Sequence, residues 1–316
     1  MTDLKIWNNP WQSIHKGARR RIDASGTFNF YWVKDFHSKF GMLISFIDLG
    51  RQAKFTEKIK GITLIEHLEE NSFDLYLILN ETDDWQLFES ICNDLIQISA
   101  ACKTNDDLFK SIYSRLKRWQ RFLSQGKSFS ISEIKQMGLF AELSFLKQVL
   151  IEKTNIRIAI RSWVGPDFDK QDFSLANSFV EVKSLISSKG PFIKISSLYQ
   201  LQTQTKPLFL GVYSLTTNDD GLSILDIIAE IALMFTEQFL VKEEFENKLA
   251  QFGYIDGVTE PPFYKWKIDK VEFYNVFGDF PRIVSSSVPG GVIAAEYMLD
   301  LSKCDHYLIT ENELIF

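Results

Sequence analysis

Three polar side chains lie close together in the segment DFSLANSFVEVK: Asp172, Glu181 and Lys183. Carboxylates bind hard divalent cations such as Mg²⁺, and a bound ion of this kind polarises a phosphate and lowers the pKa of a water molecule. A fixed ammonium group beside them stabilises negative charge on the reacting phosphate. These residue types therefore indicate metal-dependent phosphodiester hydrolysis, provided that the fold brings them together.

The residues around this triplet predict a β-hairpin. The strand-like runs DFSL and FVEVKSL are separated by ANS, so the first run can fold back on the second. Glu181 and Lys183 are two apart on the second run and leave the same face of a strand, whereas Val180 and Val182 point toward a core. The pair is thus placed for a shared site.

Asp172 reaches the same face in only one pairing register. Opposed residues share a face, so Asp172 lies across from Glu181 when paired residue numbers sum to 353, as Ser174 and Phe179 do. The same register puts the apolar residues of both runs together on the other face. The hydrophobic pattern and the proposed chemistry therefore select one register.

The Glu-x-Lys spacing alone is not specific. The chain holds two further copies, Glu133 with Lys135 and Glu246 with Lys248, both on predicted helices. Helical residues two apart point about 200° away from each other, so neither copy can form a site. An exposed strand with ordinary charges remains the alternative for the third copy.

A predicted helix from 130 to about 153 carries a fourth candidate, Glu142. The start SISE predicts a capping box of Ser130 with Glu133. At helical spacing Glu142 falls on the apolar side, beside a stripe formed by Leu139, Leu143, Leu146 and Leu150. A carboxylate there needs a partner, unless it reaches out to water as a boundary residue.

The remaining patterns predict three units. Residues 1–125, with FNFYWV, MLISFIDL and a helical stretch at 84–123, form an α+β unit, and SQGKSFS at 124–130 is the linker candidate. Residues 126–216 hold the hairpin, with IRIAIRSW, FIKI and PLFLGVYSL as strands and SSLYQLQ as a short helix capped by Ser196 or Ser197. Residues 217–316 form a C-terminal unit of one or two helices to about 252, followed by strands in WKIDKVEFYNV, GVIAAEYMLDL and HYLIT. This unit is expected to pack on the core as an extension of it.

Composition narrows the class of protein. The chain of 316 residues has a net charge of -6, which opposes coating of nucleic acid by bulk electrostatics but leaves local contact open. Two basic clusters are candidates for such contact, or else solvated charged faces: Lys16, Arg19, Arg20 and Arg21, and Arg115, Lys117, Arg118 and Arg121. No stretch approaches ~20 apolar residues and MTDLKIWNNPWQ has no apolar signal run, so a cytoplasmic location without a membrane anchor is expected.

Other kinds of site have little support. The cysteines Cys92, Cys102 and Cys304 are scattered and are expected as buried thiols rather than disulfides or zinc ligands. The four histidines show no ligand spacing, and no Gly-rich phosphate loop occurs, so any ATP hydrolysis must come from a partner.

Several segments in order resemble the PD-(D/E)xK nuclease superfamily, and more narrowly the bacterial domain-of-unknown-function family 4420. They are GLFAELSFL, WVGPDFDKQDF, VEVKS and IKISSLYQLQ, followed by FGDFPRI and GGVIAAEYMLDL. The resemblance covers about residues 130–310. It implies an α/β (α+β) fold with a restriction-endonuclease-like core, in which helices flank a mixed central sheet of four strands, plus the N-terminal α+β unit and a C-terminal helical and strand extension.

The resemblance also implies roles. Asp172 and Glu181 correspond to metal ligands, Glu142 completes the site, and Lys183 stabilises charge or orients the attacking water. Asp167 follows Pro166 and imitates the "PD" of the superfamily name, but it lies in turn-rich sequence outside the hairpin, so Asp172 is preferred. Gln200 corresponds to a supporting polar position, with a surface glutamine as the alternative.

The implied activity is a Mg²⁺-dependent DNA endonuclease, with Mn²⁺ as a substitute, in bacterial restriction or phage defence. Double-stranded DNA is the expected partner, with methyltransferase and ATPase proteins of a defence system and a second copy of the chain as further candidates. Arg282 is a weak candidate for phosphate contact, since an isolated Arg is more often a surface residue. The alternatives are a catalytically silent DNA-binding or scaffold subunit, and a junction or repair nuclease.

Overall fold

The chain folds into two compact units. A computed structural model describes residues 9–22, 28–47, 59–68, 72–124, 130–167, 169–203, 205–236 and 238–316. The first unit comprises Met1–Phe129 with Gly253–Thr259, and the second comprises Ser130–Phe252 with Glu260–Phe316. Most of the predicted linker at 124–130 lies outside the described residues.

The first unit is built on a five-stranded antiparallel sheet. Its strands are β1 (Ala18–Arg21), β2 (Asn29–Lys34), β3 (Phe40–Ile47), β4 (Ile62–Leu68) and β5 (Ser72–Leu79), in the order β1-β2-β3-β5-β4. The predicted helical stretch forms two helices, α1 (Trp85–Ser99) and α2 (Asn105–Ser124). Alternate strand residues supply the core, among them Trp32, Met42, Ile44, Leu75 and Leu77.

The second unit is built on a mixed sheet. Its strands are β6 (Phe173–Ser174), β7 (Phe179–Ile186), β9 (Leu208–Ser223), β10 (Lys265–Asn275) and β12 (Leu308–Ile309), in the order β12-β10-β9-β7-β6. β7 and β9 run parallel and the other pairs are antiparallel. β8 (Phe192–Ile195) and β11 (Tyr297–Asp300) form a separate two-stranded sheet. β10, from the segment predicted as a C-terminal unit, thus lies within the central sheet.

Four helices accompany this sheet in the described part of the second unit. They are α3 (Glu133–Phe145), which continues as a π-helical turn over Leu146–Ile151, α4 (Ile156–Ser162), α5 (Ile224–Ala232) and α6 (Phe239–Phe252). α3 packs on the sheet through the ring of Phe145, which lies 5.0 Å from that of Phe173 and 6.1 Å from that of Phe273. The expected mixed α+β class is confirmed. No helix in the described ranges is long and apolar enough to span a membrane.

The segment IRIAIRSW is a helix, so its prediction as a strand is wrong. Alternating isoleucines suggested a period of two, but Ile158 is 49% exposed while Ile156, Ala159 and Ile160 are buried, which is helical spacing. The side chain of Asn155 caps the helix by accepting a hydrogen bond from the amide of Ile158 at 3.0 Å. A good cap and tertiary packing decided the conformation.

Two smaller predictions are also wrong. α3 begins at Glu133 with Ser132 at its N-cap and without a side-chain cap hydrogen bond, whereas Ser130 forms a β-bridge with Glu260. The segment SSLYQLQ forms turns rather than a short helix. In it, the side chain of Ser197 accepts a hydrogen bond from the amide of Tyr199, so the hydroxyl supports a turn.

Candidate active site

The β6–β7 hairpin has the predicted register. Phe173 pairs with Val180 and Ser174 pairs with Phe179, as a sum of 353 requires. Phe173 and Val180 are fully buried on the apolar side. The register prediction is therefore confirmed, and Asp172, which directly precedes β6, enters the hairpin opposite Glu181.

Asp172 is fixed from two sides. Its Oδ2 accepts a hydrogen bond from the amide of Val182 at 2.8 Å. Its carbonyl oxygen accepts from the amides of Val164 at 2.8 Å and Gly165 at 2.9 Å. The backbone that follows α4 thus holds the main chain of Asp172, and strand β7 holds its carboxylate.

Glu181 and Lys183 form a close ion pair on β7. The Nζ of Lys183 lies 2.6 Å from Oε1 of Glu181, and the Glu181 side chain is fully buried. Neither carboxylate oxygen of Glu181 makes a hydrogen bond of regular geometry to another described residue. At 2.6 Å the contact is an ion pair of hydrogen-bonding length, and the two side chains share one side of the strand as predicted.

Glu142 completes the cluster from α3. Its Oε2 accepts a hydrogen bond of 2.7 Å from the indole nitrogen of Trp163, and both side chains are buried. Gly165 lies between this carboxylate and the hairpin. A Cβ atom at that position would lie 3.0 Å from Oδ1 of Asp172 and 3.3 Å from Oε2 of Glu142, so the two carboxylates are neighbours.

Burial dominates the electrostatics of the carboxylates. Loss of water raises the pKa of Glu142 well above its usual value, and the charge of Asp172 raises it further, although the Trp163 hydrogen bond opposes the rise. Burial likewise raises the pKa of Asp172, against the charge of Lys183. Burial and the charge of Asp172 raise the pKa of Glu181 to about 8.

Lys183 responds in the opposite way. Burial lowers the pKa of its ammonium group, but the surrounding charges of Glu181, Asp172 and Glu142 outweigh burial and hold the pKa above its usual value. Lys183 therefore stays protonated at neutral pH. Three carboxyl groups and one ammonium group form one electrostatically linked cluster.

The comparison with known families agrees with this geometry. The family model described as "Putative PD-(D/E)XK family member (DUF4420)" matches residues 7–302. The chain belongs to this family. The match extends through the N-terminal unit, well beyond the segments that carried the resemblance. No curated protein and no solved structure matches the chain. PD-(D/E)XK membership indicates a hydrolase of the nuclease type, and such nucleases generally use divalent metals.

The carboxylates of this cluster fit a hard cation. Their donors are carboxylate oxygens, the ligand type that such ions prefer, and both oxygens of Glu181 are buried. In the described part of the chain, no three acidic, His or Cys side chains stand close enough to form a ready-made metal site. In the arrangement observed, the Lys183 ammonium group is the cation that meets Glu181.

Asp167, the alternative "PD" aspartate, lies in a different contact. Its side chain is 44% exposed, and its Oδ2 accepts a hydrogen bond from the Nζ of Lys248 at 3.2 Å. Lys248 is buried on α6 and also donates to the carbonyl of Trp163. The structure thus brings Asp172, and not Asp167, to Glu142, Glu181 and Lys183.

Sequence reasoning missed Lys248. The lysine belongs to the Glu246-x-Lys248 copy that was set aside as an ordinary helical pair. Its position was informative, however, because Lys248 follows Val241 and Phe245 at helical spacing and so falls on the apolar stripe of α6. The same argument that singled out Glu142 could have found it.

Two glutamines near the hairpin shape the backbone. The Oε1 of Gln200 accepts a hydrogen bond from the amide of Ser196 at 2.8 Å, which closes the turn that contains both. The buried side chain of Gln171 donates to the carbonyls of Tyr199 at 2.8 Å and Gln202 at 3.2 Å. Gln171, next to Asp172, therefore ties the hairpin to this turn, while the supporting role of Gln200 stays a prediction.

The three arginines of the first basic cluster lie on β1, and Lys16 precedes it. Arg19 places its guanidinium carbon 4.9 Å from the ring centroid of Tyr31. Arg20 donates to the hydroxyl of Ser13 at 2.6 Å and to the carbonyl of Pro10 at 2.8 Å. Arg19, Arg20 and Arg21 are exposed, so their predicted contact with nucleic acid stays open.

The second cluster does not fit its predicted role. Arg115 donates two hydrogen bonds of 2.5 Å to the buried carboxylate of Asp94, and Arg118 is buried. The guanidinium groups of Arg115 and Arg118 lie inside the unit and cannot meet DNA phosphates, so the expectation is corrected for these two residues. The Arg121 side chain lies outside the description. Arg282 donates to the carbonyls of Leu201 at 2.9 Å and Val276 at 3.2 Å, which gives it a structural role instead.

Proposed function

We propose that this chain is a metal-dependent endonuclease that hydrolyses phosphodiester bonds of double-stranded DNA, with Mg²⁺ as its ion and Mn²⁺ as a substitute. The observation that supports the proposal is the meeting of Glu142, Asp172, Glu181 and Lys183 in one buried cluster. Three buried carboxyl groups are costly to ionise with only one protonated lysine beside them, which is why their pKa values are raised. A further bound cation would relieve this cost. Family membership supports the same chemistry.

The residues would divide the work as follows. Asp172 and Glu181 would hold the ion, with Glu142 completing or tuning the site. The bound ion would polarise the phosphate and lower the pKa of a water molecule. Lys183, which stays protonated, would place its charge against a phosphate oxygen or orient the attacking water. The indole of Trp163 fixes the orientation of the Glu142 carboxylate, and the amide of Val182 fixes that of Asp172.

We further propose that the enzyme acts in the bacterial cytoplasm in restriction or phage defence, with methyltransferase and ATPase proteins as partners. Two copies of the chain would present one cluster to each strand. A junction or repair nuclease is the alternative within the same chemistry, and preference for branched over linear duplex distinguishes it.

The test is cleavage of supercoiled plasmid by the purified chain with Mg²⁺ or Mn²⁺. We expect nicked and linear products, and a loss of rate of about 100-fold or more in Lys183→Ala, the cost typical of removing one charge-stabilising group. Lys135→Ala is the matched control, because Lys135 ends another Glu-x-Lys copy but lies exposed on α3. It should cleave at the unchanged rate.

Two outcomes would contradict the proposal. Cleavage that persists in Lys183→Ala would show that the activity does not come from this cluster. A folded chain that binds DNA but cleaves none with either metal, alone or with its partner proteins, would be a silent DNA-binding or scaffold subunit.

A further inference from the structure

The N-terminal unit has a cleft on the face of its sheet opposite the one that buries Trp32, Met42 and Leu77. The cleft has a volume of about 770 Å³ and is lined by residues of β1, β2, β4 and β5 and of the turn between β2 and β3. Val33, Gly41 and Ile78 are paired neighbours across the middle of the sheet. A Cβ atom at Gly41 would lie 2.6 Å from Cδ1 of Ile78, so this glycine keeps the face open between the flanking side chains.

The cleft is positively charged. Arg19, Lys34 and Lys39 line it, and none of them forms an ion pair with an acidic residue in the ranges that the structure describes. Asp35 is the acidic member of the described lining, and its Oδ1 accepts hydrogen bonds from the amides of His37 at 2.8 Å and Lys39 at 2.7 Å. These hydrogen bonds hold the Asp35 carboxylate within the turn, and three cations against one carboxylate leave the lining with a surplus of positive charge for an anionic ligand, in a chain of net charge -6.

An aromatic ring stands at the rim of the same cleft. Phe36 is 75% exposed, so most of its ring is open to solvent. Its ring lies against Gly17, where φ is 75° and a Cβ atom would come within 2.6 Å of Cε1 of the ring. The absence of a side chain at Gly17 therefore leaves room for the Phe36 ring to pack against the backbone. The half-buried Tyr76 adds a second aromatic side chain to the lining.

We propose that this cleft binds single-stranded DNA, with phosphates against Arg19, Lys34 and Lys39 and a base stacked on Phe36. A cationic groove with exposed aromatic rings is how proteins hold single strands, because unpaired bases offer a free face for stacking. In a duplex the bases stack on one another, so phosphate contact alone would leave the exposed ring unused. The choice of DNA as the polymer rests on the nuclease function proposed above.

The experiment measures binding of the full chain to a labelled oligonucleotide by fluorescence anisotropy in EDTA, where no metal-dependent cleavage occurs. We expect the double variant Lys34→Glu with Lys39→Glu to bind weakly and to lose most of the salt dependence, since fewer counterions are released. Phe36→Leu should weaken binding about tenfold, because it keeps an apolar side chain but removes the stacking face. Phe36→Tyr and the exposed Lys103→Glu on the connection between α1 and α2 are controls that should bind like the unmodified chain.

Three results would overturn the inference. One is unchanged affinity in the Lys34 and Lys39 variant, with its melting temperature intact. Another is tighter binding of duplex than of single strand through the same residues. The third is equal competition by a free mononucleotide, which would make the cleft a small-molecule site. Plasmid cleavage with Mg²⁺ is measured separately. Cleavage without binding at the cleft contradicts only the cleft proposal, and binding at the cleft without cleavage contradicts only the proposed nuclease function.

Discussion

Glu181 shows how burial links the charge of one residue to the stability of the metal-free protein. Its pKa is about 8 in the fold, above the ordinary value of 4.5. When the pKa of a carboxyl group is higher in the folded than in the unfolded protein, its contribution to stability is fully present below the unfolded-state pKa. This contribution is lost as pH rises through the folded-state pKa. Between these two pH values the unfolded chain releases a proton that the folded chain keeps, so ionisation favours unfolding.

We therefore predict that Glu181→Gln raises the melting temperature of the metal-free protein, and that the gain grows from pH 5 to pH 8. At pH 8 a gain of at least about 2 °C is expected, the shift that roughly 1 kcal/mol produces in a protein of this size. Thermal melts in EDTA across this pH range measure it. Glu152→Gln, at an exposed position just after the π-helical turn, should show no such growth. A gain that is absent or independent of pH would mean that Glu181 is ionised at neutral pH.

Gly165 allows a second prediction at this scale. In Gly165→Ala the new Cβ would lie 3.2 Å from the Cα of Asp172 and 3.0 Å from its Oδ1. The backbone of Asp172 is tied to this segment and must shift by a few tenths of an ångström. Because ligand groups need close positioning, we expect weaker Mn²⁺ binding and a cleavage rate lower by about tenfold or more.

The matched control for this change is Gly138→Ala, on the same helix as Glu142. A Cβ atom there meets nothing within 4 Å, and Ala stabilises a helix interior by roughly 1 kcal/mol relative to Gly. This variant should melt higher and cleave normally. Metal titration and cleavage rates of the two variants decide the point, and normal metal affinity in Gly165→Ala would show that the carboxylates have more freedom than their contacts indicate.

The sequence predicted the residues of the cluster better than their supports. Asp172, Glu181 and Lys183 could be placed because a strand has a strict period of two, and Glu142 because its position on the helix is apolar. Trp163 could not be assigned to Glu142, because the hydrogen bond joins two elements whose relative position depends on tertiary packing. Local spacing therefore predicts which face a side chain takes, but not which partner it meets there.

At the scale of elements, the hairpin and α4 show when a local sequence pattern is enough to predict the structure and when it is not. In the hairpin, the hydrophobic alternation and the placement of the charged residues both favoured one register, and the register is correct. In IRIAIRSW the alternating isoleucines fit a strand, whereas the burial of Ile156, Ala159 and Ile160 fits a helix. Seven residues are too few for periodicity alone to separate a helix from a strand. The cap at Asn155 and the packing of the neighbouring helices add the free energy that decides for the helix.

Lys248 links α6 to the segment that holds Glu142 and Asp172. It donates to the carbonyl of Trp163, whose indole holds Glu142, and the two residues after Trp163 donate their amides to Asp172. Lys248→Met leaves the Trp163 carbonyl without this donor in a buried place, at a cost of roughly 1–3 kcal/mol. We predict a lower melting temperature and, at temperatures well below it, weaker Mn²⁺ binding with a lower cleavage rate.

The control for α6 is Lys242→Met, because Lys242 lies 3.9 Å from Glu246 in an exposed pair on the same helix. Exposed pairs contribute about 0–1 kcal/mol, so stability and metal affinity should hardly change. Asp167→Asn removes only the ion-pair partner of Lys248 and should have an intermediate effect. If Lys248→Met lowers stability but leaves Mn²⁺ affinity intact, the lysine is structural and does not position the cluster.

At the scale of the whole molecule, the course of the chain departs from a simple succession of units. Gly253–Thr259 lies in sequence directly after α6 of the second unit but packs in the first, where Tyr254, Ile255 and Val258 are buried. A local pattern shows that such residues are apolar, not which core they join. The choice of core depends on contacts with residues more than a hundred positions away, which a single sequence does not display.

Two neighbouring positions test this course of the chain. Ile255→Ala should destabilise the first unit and Leu249→Ala on α6 the second, each by about 2–5 kcal/mol, because both remove a buried side chain. Hydrogen exchange of backbone amides reads the units separately. We expect Ile255→Ala to speed exchange in α1 and α2 while β7 and β9 stay protected, and Leu249→Ala to give the reverse. Faster exchange of β7 and β9 in both variants would mean that Gly253–Thr259 stabilises the second unit, so that the chain does not return to the first.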